Sequence, residues 1–275
     1  MVGYTHLFAC AFVEIGPASR AWKAALAGLL GVFLLIGCGR PTPQKKLLLY
    51  CGAGIRPPVA EAAEVFGKEN DVTIECDYAG SNVLLSRIKL ARRGDLYMPG
   101  DVHYVNQAEA EGFILSKRTV CYFIPVILVP KGNPKGIQGL RDLTKPGVRL
   151  GLGDAQACAI GRKSVKIFQK NNIPVAEVEK NVVFSSLTVN ELGVHIKAGK
   201  TDAVMVWAPI AAYYADVGDV VHIPVEQNLI STVAIGVLSF SRNRETAEEF
   251  ARFLTSDRGR EIFRKHHYTT EMPGQ

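Results

Sequence analysis

The stretch KLLLYCGAGIRPPVAEAAEVFGKEN, residues 46–70, decides the fold of this chain. Its apolar beginning, Lys46–Cys51, is typical of a buried strand, and Gly52-Ala53-Gly54 marks a tight loop. Pro57-Pro58 then opens an amphipathic segment. Because proline is tolerated in the first turn of a helix, we predict a helix over Val59–Asn70.

The same order of strand, loop and helix occurs twice more in the residues that follow. We predict a strand over Asp71–Tyr78 and a helix over Asn82–Arg93, separated by Ala79-Gly80-Ser81. A short strand over Gly94–Met98 precedes another helix, Val105–Glu111. Three such units in succession imply a parallel sheet covered by helices.

A second α/β unit follows the turn-rich segment KGNPKG, residues 131–136, which ends a long apolar strand predicted over Cys121–Pro130. The strand Ser231–Phe240 would return the chain to the first lobe. The remaining predicted strands are Val148–Leu152, Asn181–Phe184, Ala203–Trp207 and Val220–Pro224, and the remaining helices are Arg162–Asn171, Val189–Ala198, Arg244–Leu254 and Arg260–Lys265.

This pattern predicts an α/β protein of two lobes, each a mainly parallel sheet flanked by helices, joined by two crossover strands. We expect lobe I to hold residues 47–124 and 231–275, and lobe II to hold residues 125–230. The part of the chain beyond residue 37 is long enough to build such a core without disulfides or metals.

The N-terminal segment has the pattern of a bacterial lipoprotein signal. Arg20 and Lys23 precede an uncharged apolar run, Ala24–Gly37, which ends at Cys38. The run is shorter than the roughly 20 residues that span a bilayer. A small residue before a cysteine is what lipoprotein processing accepts, because the thiol receives a diacylglycerol before cleavage. We therefore predict lipidation at Cys38.

The signal would comprise residues 1–37, and the polar, proline-containing residues 38–46 would form a short tether. The expected location is the cell envelope, anchored by lipid and facing the periplasm or the exterior. A transmembrane anchor or a buried helix is the alternative reading of the apolar run. The true start codon stays open, because Met1–Arg20 is long for a positive flank and carries Glu14.

Charge and cysteine content exclude several classes of function. The formal net charge is +6, but the basic residues are scattered, which argues against a nucleic-acid-binding face. No C-x-x-C spacing occurs, so neither a zinc site nor a thioredoxin-type site is indicated. Beyond Cys38 we expect buried free thiols, with a Cys51–Cys76 disulfide as the alternative. The four thiols are Cys51, Cys76, Cys121 and Cys158.

Four loops share one design, in which a strand end and a small-residue turn lead into a helix. They are Cys51–Pro58, Ala79–Asn82, Gly153–Arg162 and Ser185–Asn190. The start of a helix offers unpaired N–H groups and a partial positive charge, so each loop could hold an anion. In open α/β sheets the ligand lies beyond the carboxyl ends of the strands, where these loops are expected.

An enzyme is the competing interpretation. Asp95, Asp101 and His103 lie close together in sequence and could serve an envelope hydrolase, although Asp95 and Asp101 are better explained as caps of the loop between them. The Gly52-x-Gly54-x-x-Pro57 segment is only a partial match to a dinucleotide-binding loop, and no metalloprotease or nucleophile-elbow motif is present. We therefore expect no catalytic residue, cofactor or metal.

Several motifs stand at these loops in a recognisable order: LLLYCGAG at 47–54, YAGS at 78–81, GDLYMPGD at 94–101 and GLGD at 151–154. Together they resemble the molybdate-binding lipoproteins and periplasmic proteins of bacterial ABC importers, over essentially the whole chain beyond Cys38. The resemblance implies the two-lobe periplasmic-binding-protein-like fold. It also implies an oxyanion held without a metal by hydroxyl and backbone N–H donors from both lobes.

Carried over by position, the resemblance places a serine donor at Ser81 and backbone donors at Ile160 and Val189. It departs from the family pattern where Gly54 replaces a serine and Trp207 replaces a tyrosine. The indole N–H of tryptophan is a donor and can substitute for a hydroxyl. Arg56 and Arg162 stand near binding-loop positions and are further candidates for contacting the anion; solvated charges at the rim are the alternative for both.

The expected function is therefore capture of molybdate or tungstate by a monomeric, lipid-anchored binding protein. Its partners would be an ABC permease with its ATPase, and the membrane through Cys38. Because of Gly54 and Arg56, another oxyanion or a small organic anion stays open as the ligand.

Overall fold

The computed structural model describes residues 45–273. The predicted signal over residues 1–37, Cys38 and the tether up to residue 44 lie outside the described residues. Within residues 45–273 no helix has the length and apolar character needed to cross a membrane.

The described part of the chain forms two five-stranded sheets flanked by helices. The strands are β1 Lys45–Gly52, β2 Val72–Ala79, β3 Leu96–Met98, β4 Ile114–Phe123, β5 Pro125–Pro130, β6 Leu150–Gly153, β7 Val182–Ser186, β8 Ala203–Trp207, β9 Gly218–His222 and β10 Ser231–Leu238. The helices are α1 Arg56–Asn70, α2 Ser81–Ala91, α3 Val102–Ala110, α4 Ala159–Lys170, α5 Val175–Glu179, α6 Val189–Lys197, α7 Ala208–Ala212, α8 Arg244–Thr255 and α9 Asp257–Lys265.

Lobe I is built on the sheet ordered β2-β1-β3-β10-β4, and lobe II on the sheet ordered β7-β6-β8-β5-β9. The chain leaves the first sheet after Phe123 and enters the second at Pro125. It returns to the first sheet at Ser231, which pairs with Phe123. Both crossings therefore lie side by side, as a hinge between two lobes requires.

Local sequence explains where these elements begin and end. Pro57 and Pro58 occupy the first turn of α1, where no backbone donor is lost, and Asp71 ends that helix in a left-handed conformation with φ of 51°. Ser256 caps α9 by accepting a hydrogen bond from the Gly259 N–H at 3.2 Å.

Two expectations need correction. The sheets are mixed rather than mainly parallel: β1, β2 and β3 run parallel, as do β6, β7 and β8, but β10 and β5 pair antiparallel with their neighbours. The long strand predicted over Cys121–Pro130 is two strands in different sheets, interrupted at Ile124. Pro125 lacks an N–H and contributes to this break, and the apolar pattern, continuous across it, gives no sign of the change of sheet.

The hydrophobic core extends from one lobe to the other. Leu49, Met98 and Phe123 of the first sheet belong to the same buried cluster as Val189 and Trp207 of lobe II. A smaller cluster around Ile127, Phe168 and Met205 lies inside lobe II alone. In the structure the lobes are thus in close apolar contact, and the loops between them define the cleft.

Candidate functional site

The four loops singled out in the sequence meet between the lobes and enclose a cavity of about 20 Å³. Its walls are Gly52–Ile55, Ala79–Ser81, Cys158-Ala159 and Thr188-Val189, together with Gly100, Phe123 and Trp207. None of these side chains carries a charge. The cavity is thus a small, neutral space at the carboxyl ends of strands from both sheets.

Helix starts surround this cavity, and none of them is capped by a side chain. Gly80, Cys158 and Thr188 precede α2, α4 and α6, and no side chain accepts a hydrogen bond at these caps. A helix start without a cap leaves backbone donors for another partner. Gly80 must be glycine here, because a Cβ would lie 2.5 Å from the Leu187 carbonyl oxygen of lobe II.

Ser81 provides a hydroxyl donor to the cavity. Its side chain is 3% exposed, and its Oγ accepts a hydrogen bond from the Gly100 N–H at 3.1 Å. The backbone is held from behind, since the Tyr97 hydroxyl donates to the Ser81 carbonyl oxygen at 2.7 Å. Because the serine oxygen is already engaged as an acceptor, its hydrogen is free to point into the cavity.

Trp207 closes the cavity from lobe II. Its ring stacks on Phe123 with a centroid distance of 4.8 Å and an interplanar angle of 16°. The ring is buried, yet Nε1 donates no hydrogen bond to any residue in the described part of the chain. The indole N–H is a donor only, so without a protein partner it is available to a ligand.

Gly54, one of the two departures from the family pattern, faces Val189 and the other departure, Trp207. A Cβ at Gly54 would lie 2.7 Å from Val189 Cγ1 and 3.5 Å from Trp207 Cδ1. Any side chain in this position would therefore force Val189 or the indole to move. The Gly54 carbonyl oxygen accepts a hydrogen bond from the Tyr268 hydroxyl, which fixes the loop from lobe I.

Cys158 lies at the start of α4, where its thiol competes for the donors that a ligand would use. Burial raises the pKa of this thiol to about 11, although the N–H groups of Ile160 and Gly161 act in the opposite direction. The thiol is therefore neutral at physiological pH and is a weak acceptor. The Cys158 thiol lies near the N–H groups of Ile160 and Gly161 without forming a side-chain cap, and the Ile160 side chain is not part of the cavity wall.

Neither candidate arginine lines the cavity. The Arg56 guanidinium lies over the Tyr78 ring, 4.4 Å from its centroid. Arg162 is partly buried and forms no ion pair with the residues that the structure describes. Arg162 is close enough to His103 and Tyr104 of lobe I to influence their titration, so it stands at the rim of the cleft.

A charged contact also joins the lobes, outside the cavity wall. The Asp101 carboxylate of lobe I pairs with the Lys163 ammonium of lobe II at 2.8 Å, and their side chains are 7% and 12% exposed. Asp101 also accepts hydrogen bonds from the Ser231 hydroxyl and the His103 N–H, each at 2.8 Å. Burial raises the pKa of Asp101, but Lys163 and these donors bring it below its ordinary value.

The chain matches the bacterial extracellular solute-binding proteins over residues 47–269, which is most of its length. It belongs to this family. Among curated relatives, a binding protein of Haemophilus influenzae is 27% identical over 217 residues, covering 79% of this chain and 88% of the relative. The molybdate-binding protein ModA of Mycobacterium tuberculosis is 22% identical over 257 residues, covering 88% of this chain and 96% of that protein.

Solved structures of other binding proteins share the fold of this solute-binding protein. The periplasmic molybdate-binding protein of Azotobacter vinelandii is 14% identical with a TM-score of 0.71, covering 82% of this chain and all of that one (100%). The protein AfuA of Actinobacillus pleuropneumoniae, with fructose-6-phosphate bound, is 17% identical with a TM-score of 0.73, covering 82% and 85%. The two-lobe α/β fold predicted from the sequence is confirmed.

Two of the three residues suggested for a hydrolase, Asp95 and Asp101, form structural hydrogen bonds in this solute-binding protein. Asp95 accepts hydrogen bonds from the Leu48 N–H at 2.8 Å and from the Ser241 hydroxyl at 2.6 Å, which ties β1 to the segment after β10. Asp101 caps α3, and burial followed by the nearby Arg162 lowers the pKa of His103. The family relatives are binding proteins, in agreement with a role in transport rather than catalysis.

Apart from Cys158, the described cysteines do not line this cavity, and a separate groove lies elsewhere on the first sheet. All four described cysteines are free thiols, and the Cys51–Cys76 disulfide does not form in the structure. A groove of about 530 Å³ lies at the edge of the first sheet between α1 and β2. Glu64 and Lys68 on its wall pair with each other at 2.6 Å.

Sequence reasoning missed Phe123, Lys163 and Tyr268. Phe123 and Tyr268 look like ordinary apolar positions, since nothing in the local pattern shows that Phe123 stacks on Trp207 or that the Tyr268 hydroxyl donates to the Gly54 carbonyl oxygen. Lys163 is one cation of a helix that carries several. A pairing with a carboxylate in another lobe leaves no local signal in the sequence.

Proposed function

We propose that this protein captures a fully deprotonated tetrahedral oxyanion, molybdate or tungstate, in the interlobe cavity and delivers it to an ABC permease with its ATPase. One observation carries this proposal. The cavity combines the Ser81 hydroxyl, the Trp207 N–H and uncapped helix starts, with no carboxylate or imidazole on its wall. Donors without acceptors suit an anion and offer a cation nothing.

Two backbone acceptors on the cavity wall are already engaged, which favours a fully deprotonated anion, whereas the buried Asn190 Oδ1 nearby accepts no hydrogen bond from the described residues. The Gly54 carbonyl oxygen accepts from Tyr268, and the Ala53 carbonyl oxygen accepts from the Asn190 side chain at 3.3 Å and from the Arg56 N–H. A protonated phosphate brings an O–H that needs an acceptor, and leaving it unpaired costs about 1–3 kcal/mol. We expect phosphate to bind more weakly than molybdate at neutral pH.

Binding requires the cleft to change shape. A cavity of about 20 Å³ has room for about one water molecule, which is less than a five-atom oxyanion needs. The lobes must therefore separate to admit the anion and close around it with Ser81 on one side and Trp207 on the other. In this mechanism the anion favours the closed form, which the permease recognises.

A second candidate is an oxyanion carried on a small organic molecule. Arg162 supports it, because this partly buried guanidinium has no ion-pair partner among residues 45–273 and stands at the rim near His103 and Tyr104. A guanidinium in this place could bind a second anionic group of a longer ligand. The solved structure of AfuA with fructose-6-phosphate shows that the fold accommodates such ligands.

Calorimetric titration of molybdate, tungstate, sulfate and phosphate tests the proposal. Ser81→Ala should weaken molybdate binding about 10- to 100-fold, because hydrogen bonds to charged groups contribute about 1.5–3 kcal/mol. Ser86→Ala, an exposed serine on the same helix, is the matched control and should bind as the wild type does. If phosphate binds as tightly as molybdate, or if both alanine variants behave alike, the ligand or the site is wrong.

The proposal includes attachment to the membrane through lipid on Cys38, supported by the basic residues and apolar run that precede it. Replacing Cys38 with serine should abolish lipidation and processing, since a hydroxyl is a far poorer nucleophile than a thiol. Metabolic labelling with palmitate measures this directly. Cys76→Ser is the control for the loss of a thiol elsewhere, and equal label in all three proteins would contradict the anchor.

A further inference from the structure

We propose that the Asp101–Lys163 ion pair, supported within lobe I by Ser231, is a latch that holds the two lobes together and thereby sets the ligand affinity without touching the ligand. The Asp101 carboxylate lies at 2.8 Å from both the Lys163 ammonium and the Ser231 hydroxyl. None of the three lines the cavity. The inference rests on the proposed function in one respect, that closure is the state that holds the anion.

The latch connects the parts of the molecule that must move. Asp101 is fixed to lobe I because it caps α3 through the His103 N–H. Lys163 belongs to α4 of lobe II, the helix whose first turn borders the cavity. Ser231 is the first residue of β10, where the chain crosses back from lobe II. Among the ion pairs formed by residues 45–273, this one alone joins the two lobes.

The pair favours closure because both of its side chains are largely buried where the lobes meet in the structure. With side chains 7% and 12% exposed, the charges attract each other with little screening. Separation of the lobes would hydrate both groups and lose that attraction. If only a fraction of molecules can close, the apparent affinity falls by the same fraction. The latch is thus a device for affinity, and its residues are positioning residues.

Trp207 offers a reporter of closure that needs no ligand. The chain has two tryptophans, Trp22 and Trp207, so Trp22→Phe leaves the cleft residue as the only tryptophan in processed and unprocessed protein alike. In the closed form its ring is 2% exposed and should be protected from acrylamide. In this background we expect Lys163→Met to raise the quenching constant at least twofold in the absence of any anion, and to weaken molybdate binding about tenfold.

Three comparisons make the test decisive. Lys163→Arg keeps the charge and should quench like the parent. Lys131→Met removes an ion pair of equal length, 2.8 Å to Asp219, that lies within lobe II, and it too should quench like the parent. Circular dichroism and the melting temperature establish that each variant is folded. Should Lys163→Met quench like Lys131→Met, or Lys163→Arg behave like Lys163→Met, the latch is disproved.

The failure of the latch and the failure of the proposed ligand give different results. Quenching is measured without anion, so the absence of molybdate binding leaves the latch test intact. Conversely, tight molybdate binding with unchanged quenching in Lys163→Met would support the ligand and overturn the latch. An increase in quenching with unchanged affinity would show that the contact holds the lobes but does not govern binding, which also overturns the proposal as stated.

Discussion

The contact between the lobes has two parts of different chemistry, which we call the neutral half and the charged half. In one half, α2, α4 and α6 begin at Gly80, Cys158 and Thr188 without a side-chain cap, and they face a cavity with no charged wall. In the other half, α3 begins at Asp101, whose carboxylate caps the helix and pairs with Lys163. A capping carboxylate takes up one of the backbone donors of a helix start and repels an anion by its charge, whereas an uncapped start keeps these donors for a ligand.

This comparison assigns different consequences to the two halves. Substitutions in the charged half should change the stability of the closed protein and alter affinity only indirectly. Substitutions in the neutral half should change affinity and leave stability nearly unaltered. The predictions below test whether the halves separate in this way, beginning with the largest expected effect.

Asp101→Asn should lower the free energy of unfolding by about 2–3 kcal/mol at pH 7. Removing one partner of a fully buried ion pair costs about 3–5 kcal/mol, and here opening of the lobes can hydrate Lys163 and reduce the cost. Asparagine still caps α3, so the helix start is preserved. Denaturant unfolding measures the change. A loss below about 0.5 kcal/mol would show that the charged half does not stabilise the folded protein.

The same pair predicts a dependence on pH. Because the folded pKa of Asp101 lies below its unfolded value, the ionised carboxylate stabilises the folded protein above the ordinary pKa of about 3.9. That contribution is lost as the pH falls through the folded pKa. The difference in stability between wild type and Asp101→Asn should therefore be full at pH 7 and shrink below about pH 4. A difference that is constant over this range would exclude the ion pair as its cause.

Trp207→Phe should weaken molybdate binding by about 1.5–3 kcal/mol, or roughly 10- to 150-fold, while unfolding free energy changes by less than about 1 kcal/mol. Phenylalanine preserves the stack on Phe123 but removes the unpaired N–H. Calorimetry measures the affinity. Phe123→Leu is the counterpart that keeps the donor and disturbs the stack. Equal losses in the two variants would mean that stacking, not the N–H, determines binding.

The sequence predicted the neutral half better than the charged half. Strand ends followed by small residues and helix starts are local features, so the four loops around Gly54, Ser81, Cys158 and Val189 could be identified, and parallel strands bring their carboxyl ends together. Comparison with the family pattern also showed that Gly54 replaces a serine donor and that Trp207 replaces a tyrosine. The division of the chain at residues 124 and 230 and the assignment of ligand contacts stay predictions.

The charged half depends on distant parts of the chain, which explains why it was missed. Asp101 stands at a helix start, Lys163 within another helix and Ser231 at the beginning of a crossover strand. Asp101 and Lys163 meet because of how the lobes close. The mixed sheets were missed for a related reason. The direction of β5 and β10 is set by the crossings at Ile124 and Ser231, which the apolar pattern of these strands does not record.

Gly54→Ala should weaken anion binding by about 1–2 kcal/mol, since the added methyl group would lie 2.7 Å from Val189 Cγ1 when the lobes close. Overpacking of this kind costs about 1–3 kcal/mol in a well-packed interior, and opening of the cleft relieves part of it. Val189→Ala in the same molecule should restore binding. A double-mutant cycle measures the coupling. Additive losses would show that the two positions do not meet in the bound form.

Arg56→Met should have the smallest effect and decides between two roles for this arginine. Its guanidinium lies 4.4 Å from the Tyr78 ring centroid, so we expect a loss of about 0.5–1 kcal/mol in unfolding free energy. Arg56 does not line the cavity, and molybdate affinity should change less than about threefold. Arg162→Met is the comparison at the rim: it should reduce the association rate at low salt, and this reduction should fade as salt screens the charge. A tenfold loss of affinity in Arg56→Met, with the unfolding free energy unchanged, would show that Arg56 contacts the anion. The half of the cleft described as neutral would then include a charged residue.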